Sequence, residues 1–342
     1  MKVIVDDKIP YIREVITTLA DEVVFLPGRE ITAKDVKDAD ALIVRTRTRC
    51  DRHLLEDSSV RFIGTATVGY DHIDVDYCKQ KGIIWKNAPG CNSSSVEQYV
   101  ESVFILLKKR GIRLEGKTIG VVGGGNVGKR VIDLARQYGL SVLLNDLPRE
   151  EQEEGEFHSL DELMERADLL TFHVPLYREG RFKTFHLADD SFFSRLMRKP
   201  ILINTSRGEV VQTTALLKAM EEGRVAEVIL DVWENEPLID LSLLHKTFIG
   251  TPHIAGYSAD AKVNATRMTL DSFCRFFNLS CEYEITPPPP LYPVLKGKSR
   301  EDRLLEIYNP MIDDEALKSD PSRFEYLRGH YPLRREKQAY II

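Results

Sequence analysis

The sequence predicts an α/β protein of two doubly wound parallel-sheet domains, one inserted into the other, with a small C-terminal module after them. Three observations predict it. Short β-branched runs alternate with helical spacing through the first 90 or so residues and again from Lys117, the rhythm of parallel sheets covered on both faces. The second round opens on Lys117-Thr-Ile-Gly-Val-Val-Gly-Gly-Gly-Asn-Val-Gly128, a strand that runs into glycines spaced G-x-G-x-x-G. Two long amphipathic runs, at 94–110 and from Ser258 onward, flank that second round.

In the first round, strands are expected over Lys2–Asp6, Glu22–Leu26, Ala41–Arg45, Arg61–Ile63 and Ile83–Lys86, with helices over Pro10–Ala20 and Val75–Gln80. Gly64–Gly69 is a loop of small and hydroxyl residues. Ser94-Ser-Val-Glu97 has capping-box spacing and predicts the start of the helix that Gly111 ends. In the second round, strands are expected at 118–122, 141–145, 168–172, 201–204, 227–231 and 247–250, and helices at 126–138, 159–166, 189–196 and 213–222. The run from Ser258 matches the helix at 94–110 in length, so the chain is expected to cross back there and complete the first domain. Thr286-Pro-Pro-Pro-Pro290 is a linker, because consecutive prolines stay extended. Beyond it lies a basic, aromatic tail too short to bury a core alone, which must pack on another subunit or on its own chain.

The glycine spacing has a chemistry. Gly123 allows the turn, Gly125 lets a pyrophosphate approach the backbone, and Gly128 lets helix and strand pack closely. The free N–H groups of the helix that follows point at the phosphates. Asp146 ends the next strand, 18 residues past Gly128, where a carboxylate accepts from the ribose hydroxyls of NAD and repels the extra phosphate of NADP. NAD is therefore the expected cofactor.

Composition narrows the class. The 342 residues are 43% hydrophobic and 29% charged with a net charge of −6, which gives no support for nucleic-acid or membrane binding. Cys50, Cys78, Cys91, Cys274 and Cys281 are scattered without metal-type spacing and read as five free thiols. Met1–Asp7 looks like a first strand rather than a leader, and no apolar run is long enough to span a bilayer, so a cytoplasmic protein with no metal site is expected.

Three further sites fall at strand ends of the second domain, where doubly wound folds bind ligands. Arg207, in Ile203-Asn-Thr-Ser-Arg-Gly208, offers a planar guanidinium for a carboxylate. Glu236 ends Leu230-Asp-Val-Trp-Glu-Asn-Glu236, and His253 lies in Thr-Pro-His253. An arbitrary Arg is more often a surface salt bridge, and a lone His more often structural. Together, however, they suit hydride transfer from a hydroxy acid: His253 as general base, Glu236 holding its tautomer, Arg207 fixing the carboxylate.

These motifs, with Asp231-Val-Trp-Glu-Asn-Glu-Pro237 and Thr-Pro-His253-Ile-Ala-Gly256, resemble the D-isomer-specific 2-hydroxyacid dehydrogenase family, in the family's order over about residues 1–285. Gly64–Gly69, Ala88-Pro-Gly-Cys-Asn92, Leu170–Leu176 and Pro252–Tyr257 are similar to its branch that oxidises 4-phospho-D-erythronate at C2 with NAD on the way to pyridoxal phosphate. The resemblance implies a flavodoxin-like substrate domain (1–93 and 256–285), an inserted NAD-binding Rossmann domain (94–255) and a C-terminal dimerisation module (286–342), hence a homodimer. It implies Arg207, Glu236 and His253 as catalytic residues. Gly125, Asn126, Val127 and Gly128 would meet the cofactor phosphates, Asp146 its ribose, and Val174, Ser206, Asp231 and Gly256 its nicotinamide side. Thr46, Thr67 and Tyr257 match substrate-contacting positions, with Thr46 in place of an expected Ser. The substrate is then a small phosphorylated 2-hydroxy acid. Another family member, acting for instance on 3-phosphoglycerate, and a non-catalytic NAD-sensing regulator are the alternatives.

Arg45, Arg47 and Arg49 alternate, so an extended chain would set all three on one face, and Arg45 or Arg47 is expected to bind the substrate phosphate. A solvated basic edge is the plainer reading for Arg49.

Overall fold

The apolar runs read as strands are strands of parallel sheets, the inner ones buried on both faces and the edge strands Glu22–Leu26 and Ile84–Lys86 only partly covered. The computed structural model describes residues 1–342, in two units: Met1–Asn92 with Ser258–Pro289, and Ser93–Tyr257 with Pro290–Ile342.

In the first unit, β1 (Lys2–Asp6), β2 (Glu22–Leu26), β3 (Ala41–Val44), β4 (Phe62–Thr65) and β5 (Ile84–Lys86) form one parallel sheet, ordered β2-β1-β3-β4-β5. Ile4, Leu42, Val44 and Ile63 face one core; Val3, Val5, Ile43 and Phe62 face the other. The chain leaves this unit after Asn92 and returns at Ser258, whose hydroxyl accepts the Ala261 N–H at 2.8 Å and starts the helix Ala259–Phe277. That helix closes the second core with Phe273, Phe276 and Phe277 around Phe62.

Two expectations fail here. The helix ends at Asn278 in the left-handed region (φ 54°), with the Leu279 N–H bonded to the Cys274 carbonyl at 2.9 Å. That reversal returns the chain onto the helix, and Cys274 and Cys281 are paired as a disulfide with Cα atoms 6.2 Å apart; only Cys50, Cys78 and Cys91 are free. Second, Arg45, Arg47 and Arg49 do not share a face. β3 stops at Val44 and a turn follows, closed by the Thr48 N–H on the Arg45 carbonyl (3.3 Å) and anchored by the buried Thr48 hydroxyl on the Gly28 carbonyl (2.8 Å). Arg49 pairs with Asp51 at 2.9 Å.

In the second unit, β6 (Thr118–Val122), β7 (Ser141–Asn145), β8 (Leu169–Phe172), β9 (Ile201–Asn204), β10 (Glu227–Leu230) and β11 (Ile249–Gly250) form a parallel sheet ordered β11-β10-β9-β8-β6-β7. The chain runs from β6 out to β7 and then back across to β8, so strand order reverses between β6 and β8. Ligands bind outside the carboxyl ends of strands at such a switch. The helix Ser93–Lys109 packs on the helix Asn126–Gln137 over one face. Ser94 and Glu97 do not form the expected capping box. The helix already begins at Ser93; the Ser94 hydroxyl donates to Glu336 (2.6 Å), and Glu97 pairs with Lys337 (2.8 Å) and Arg130 (3.1 Å). No helix in either unit is long and apolar enough to cross a membrane.

The chain after the prolines folds onto this second unit rather than standing apart. It forms helices Arg300–Ile307, Pro310–Ser319 and Phe324–Gly329. Leu317 and Phe324 enter the core on one face of the sheet and Tyr308 the core on the other. Asp314 accepts the Gly250 N–H of β11 at 2.6 Å. Its neighbour Asp313 accepts from Tyr331 (2.9 Å) and Tyr308 (3.1 Å), yet burial pushes its carboxyl up to about 6. A raised acid stabilises the fold while protonated, and that contribution is lost as pH rises from about 4 to about 6. Above that window the charged carboxylate costs on the order of 3 kcal/mol. Asp313→Asn keeps the acceptor without the charge. Thermal melts should find this variant more stable than the parent at pH 7.5, with the advantage gone by pH 4; a variant less stable at pH 7.5 contradicts the assignment.

Candidate active site

The carboxyl ends of β6, β9, β10 and β11 carry the residues picked out in the sequence. At β6 the chain turns through Gly123 (φ 95°), whose N–H bonds the Asn145 carbonyl at 2.8 Å, and enters the helix Asn126–Gln137 with Gly125 as N-cap. A Cβ on Gly123 would strike the His173 carbonyl and Val174, and one on Gly128 would strike Gly123 itself. A Cβ on Gly125 would meet nothing within 4 Å. Gly123 and Gly128 are thus glycines for the fold, whereas Gly125 leaves open the space at a helix N-terminus that a pyrophosphate needs. Asn126 and Val127 supply the first-turn N–H groups, which have no partner within the helix. Asp146 follows β7; its Oδ2 accepts the Gly124 N–H at 2.7 Å and its Oδ1 the Arg149 N–H at 3.2 Å. An ionised carboxylate has about four acceptor positions, so room remains for ribose hydroxyls. These residues fit a dinucleotide.

After β9, Asn204 organises the loop. Its Oδ1 accepts from the Ser206 N–H (3.0 Å) and hydroxyl (2.8 Å), and its Nδ2 donates to the Arg207 carbonyl (2.9 Å). The Arg207 guanidinium donates to the Ser206 carbonyl at 2.8 Å. Gly208 is required by close approach: a Cβ there would overlap the Trp233–Glu234 peptide, so the loop bearing Arg207 lies directly on the one bearing Glu236.

After β10 and β11, Glu236 and His253 meet. His253 Nδ1 lies 2.8 Å from Glu236 Oε2, while Glu236 Oε1 accepts the Trp233 N–H at 3.0 Å. The network places the proton on Nδ1, donated to Glu236, and leaves Nε2 as the basic atom. Burial would push the Glu236 carboxyl up, but the charges of His253 and Arg328 and its hydrogen bonds outweigh this and hold it below the usual carboxylate range. His253 itself sits in the left-handed region (φ 57°). Asp231 fixes it there: Oδ1 accepts from the Thr251 hydroxyl (2.6 Å) and the Ile254 N–H (2.8 Å), and Oδ2 from the Ala255 N–H (2.9 Å). Gly256 lies in the turn that the Tyr257 N–H closes on the Ile254 carbonyl at 2.9 Å.

Thr46 and Thr67 belong to the first unit. Thr46 is exposed in the turn after β3. The Thr67 hydroxyl donates to the Gly69 carbonyl (2.8 Å) and lies 2.7 Å from the Thr65 hydroxyl, itself 3.1 Å from His72 Nε2. Burial pushes the His72 imidazole down to about 4, so it is neutral and supports this chain of hydroxyls without charge.

Two cations in reach of site residues escaped the sequence reading. Lys262, in the first unit, is half-buried, and both burial and the nearby charge of Arg45 push its amine down. Arg328, from the C-terminal segment of the second unit, stands 3.7 Å from Glu236 Oε2 and donates to the Tyr257 hydroxyl at 3.3 Å. No local pattern marks either, since each acts through a tertiary neighbour.

The pattern of the family described as D-isomer specific 2-hydroxyacid dehydrogenase, NAD binding domain, matches residues 95–255. The chain is 58% identical to an erythronate-4-phosphate dehydrogenase of Bacteroides thetaiotaomicron, covering all of this chain and 99% of that one. It is 40% identical to the Porphyromonas gingivalis enzyme of the same name, covering all of this chain and 95% of that one. Among solved structures it resembles D-lactate dehydrogenase from Aquifex aeolicus complexed with NAD and lactic acid, with a TM-score of 0.67 at 26% identity over 81% of this chain and 96% of that one. An NAD⁺-bound 3-phosphoglycerate dehydrogenase of Entamoeba histolytica gives 0.68 at 26% identity over 81% and 95%.

The open space at Gly125 sets a test. Gly125→Ala should leave the melting temperature within about 2 °C of the parent, since φ is −71° and nothing is struck, yet weaken NADH binding at least about tenfold by filling the approach to the helix tip. Fluorescence titration of NADH decides; unchanged affinity removes the pyrophosphate from this turn.

Proposed function

The chain belongs to the D-isomer specific 2-hydroxyacid dehydrogenases, in the branch of the erythronate-4-phosphate dehydrogenases, and from that premise we propose that Arg207, Glu236 and His253 are its catalytic residues. It oxidises 4-phospho-D-erythronate to 3-hydroxy-2-oxo-4-phosphooxybutanoate with NAD, in pyridoxal phosphate (vitamin B6) biosynthesis. The observation that carries this reading is the 2.8 Å Glu236–His253 pair at the strand ends of the nucleotide-binding sheet.

NAD supplies the hydride acceptor when bound. Gly125, Asn126, Val127 and Gly128 would hold its phosphates, Asp146 its ribose, and Val174, Ser206, Asp231 and Gly256 its nicotinamide end. His253 Nε2 takes the proton of the C2 hydroxyl as C2 is oxidised. Glu236, ionised, then stabilises the imidazolium through Nδ1 and keeps the ring from turning. Arg207 fixes the carboxylate next to C2 with two parallel hydrogen bonds and draws charge from the developing carbonyl. The D-lactate and 3-phosphoglycerate dehydrogenases similar in fold leave acid length to be read elsewhere. Thr46, Thr67 and Tyr257 contact the substrate. Arg45, joined by Lys262 rather than by Arg47, takes its phosphate: Arg45 lies close enough for its charge to push the Lys262 amine down, so both cations are placed to meet one anion. The chain works as a homodimer, supported by the exposed Leu291, Tyr292, Val294 and Ile312 of the C-terminal segment.

His253→Ala should lower kcat by ~10²–10⁴ with NADH affinity little changed, and Arg207→Lys should also be severe, because a point charge cannot reproduce the guanidinium fork. Near-normal turnover in either removes that residue from the mechanism. A panel of 2-hydroxy acids with and without a terminal phosphate tests the substrate: preference for 3-phosphoglycerate, or NADH binding without reduction of any 2-oxo acid, would favour the other readings.

Arg45→Met with Lys262→Met should raise KM for 4-phosphoerythronate by about tenfold or more, the loss of charge-assisted bonds to phosphate. An unchanged KM sends the phosphate elsewhere.

A further inference from the structure

Two arginines of the C-terminal segment are largely buried, and they differ in a telling way. The Arg334 guanidinium is satisfied by protein acceptors: the Ser95 carbonyl at 2.6 Å, the Ile254 carbonyl at 3.3 Å and Gln98 Oε1 at 3.4 Å, with the Tyr308 ring 3.7 Å beneath it. That is a structural cation. Arg328 is not satisfied in this way. Its buried Nε has no partner, one Nη donates to the Tyr257 hydroxyl at 3.3 Å, and the other lies 3.7 Å from Glu236 Oε2 and 3.5 Å from Glu325 Oε1. A buried, incompletely bonded guanidinium costs stability. Its place is explained by what it faces.

Glu236 Oε2 is also the oxygen that His253 Nδ1 reaches at 2.8 Å. We propose that Arg328 is a positioning residue for the proton-transfer pair: it shares Glu236 Oε2 with His253, and so sets the pH below which the imidazole is no longer available as a base. The proposal rests on the reading of Glu236 and His253 as that pair. The charged and titratable groups around it are Asp231 and Glu236 from the loops after β10, Tyr257 beyond β11, and Glu325 and Arg328 from the C-terminal segment. Glu325, which meets the same guanidinium nitrogen as Glu236, draws part of its charge away from Glu236.

The sign follows from electrostatics. With Arg328 in place, part of the Glu236 charge is spent on the guanidinium, and the imidazolium is less favoured. Without it, the whole carboxylate charge faces His253 and the imidazolium persists to higher pH.

The experiment is the pH profile of kcat/KM for 4-phosphoerythronate oxidation by the full chain. Arg328→Gln should move the acid limb up by about one pH unit, tenfold in the proton equilibrium, and Arg328→Lys should bring it at least halfway back. Glu325→Gln should move the limb the other way, down by about 0.3 unit or more. A purely structural Arg328 would lower the melting temperature and leave the limb where it is. An acid limb within about 0.2 unit of the parent in both Arg328→Gln and Glu325→Gln overturns the proposal. Should Arg328→Gln fail to fold, an unmoved limb in Glu325→Gln overturns it alone. Near-normal turnover in His253→Ala, by contrast, overturns the proton-transfer pair itself, a result the two charge variants cannot imitate.

Discussion

The candidate site depends on one buried carboxylate that stands outside the Glu236–His253 pair. Asp231 follows β10 with both oxygens occupied by the loop beyond β11: a hydroxyl from Thr251 and two backbone N–H groups from Ile254 and Ala255. Its own N–H bonds the Asn204 carbonyl of β9 at 3.0 Å, so three neighbouring strand ends are tied at one residue. The Tyr99 hydroxyl reaches Thr251 from the helix Ser93–Lys109 (3.0 Å), and the Trp233 indole donates to the Thr251 carbonyl (2.9 Å). A residue with Cβ in the left-handed region is strained by about 1–3 kcal/mol and stays there only when its surroundings over-determine it. His253 meets that condition, and its Nε2 is aimed by the backbone before any ring torsion is chosen.

The same economy governs the glycines. Gly208 brings the Arg207 loop against the Trp233–Glu234 peptide, and Gly128 brings the helix Asn126–Gln137 against the turn at Gly123. Their role is to remove a methyl group where two backbones must touch, which holds Arg207 next to the Glu236 loop without help from a ligand.

Much of this was legible in the sequence, for a physical reason. Buried parallel strands must be apolar throughout and glycine turns must carry glycine, so β6 to β10 and the Gly123–Gly128 turn follow from local composition. Arg207, Glu236 and His253 could be picked out because each stands just past such a strand. What failed lay in tertiary structure. The alternation at Arg45, Arg47 and Arg49 assumed an extended chain, but the buried Thr48 hydroxyl on Gly28 bends it into a turn. Ser94 and Glu97 had capping-box spacing, yet their side chains face Glu336 and Lys337, more than 200 residues away in sequence. The Cys274–Cys281 pair needed the left-handed residue at Asn278. Arg328 is one of several basic residues in its segment, and only the fold singles it out.

The contact between Asp314 and Gly250 bears on how the sheet ends. β11 is only two residues long and lies at the edge of the six-stranded sheet, where an unpaired N–H invites another chain to add a strand. Here that N–H is taken by a carboxylate and the helix Pro310–Ser319 is packed over it. Lys318, 2.8 Å from Asp314, takes the neighbouring Thr247 carbonyl at 2.9 Å and keeps the carboxylate from being left as a lone buried charge. The edge is thereby closed to β-augmentation. Copies of this chain that associate on that side must do so through side chains on helices, not by extending the sheet, and the fold is guarded against runaway strand pairing there.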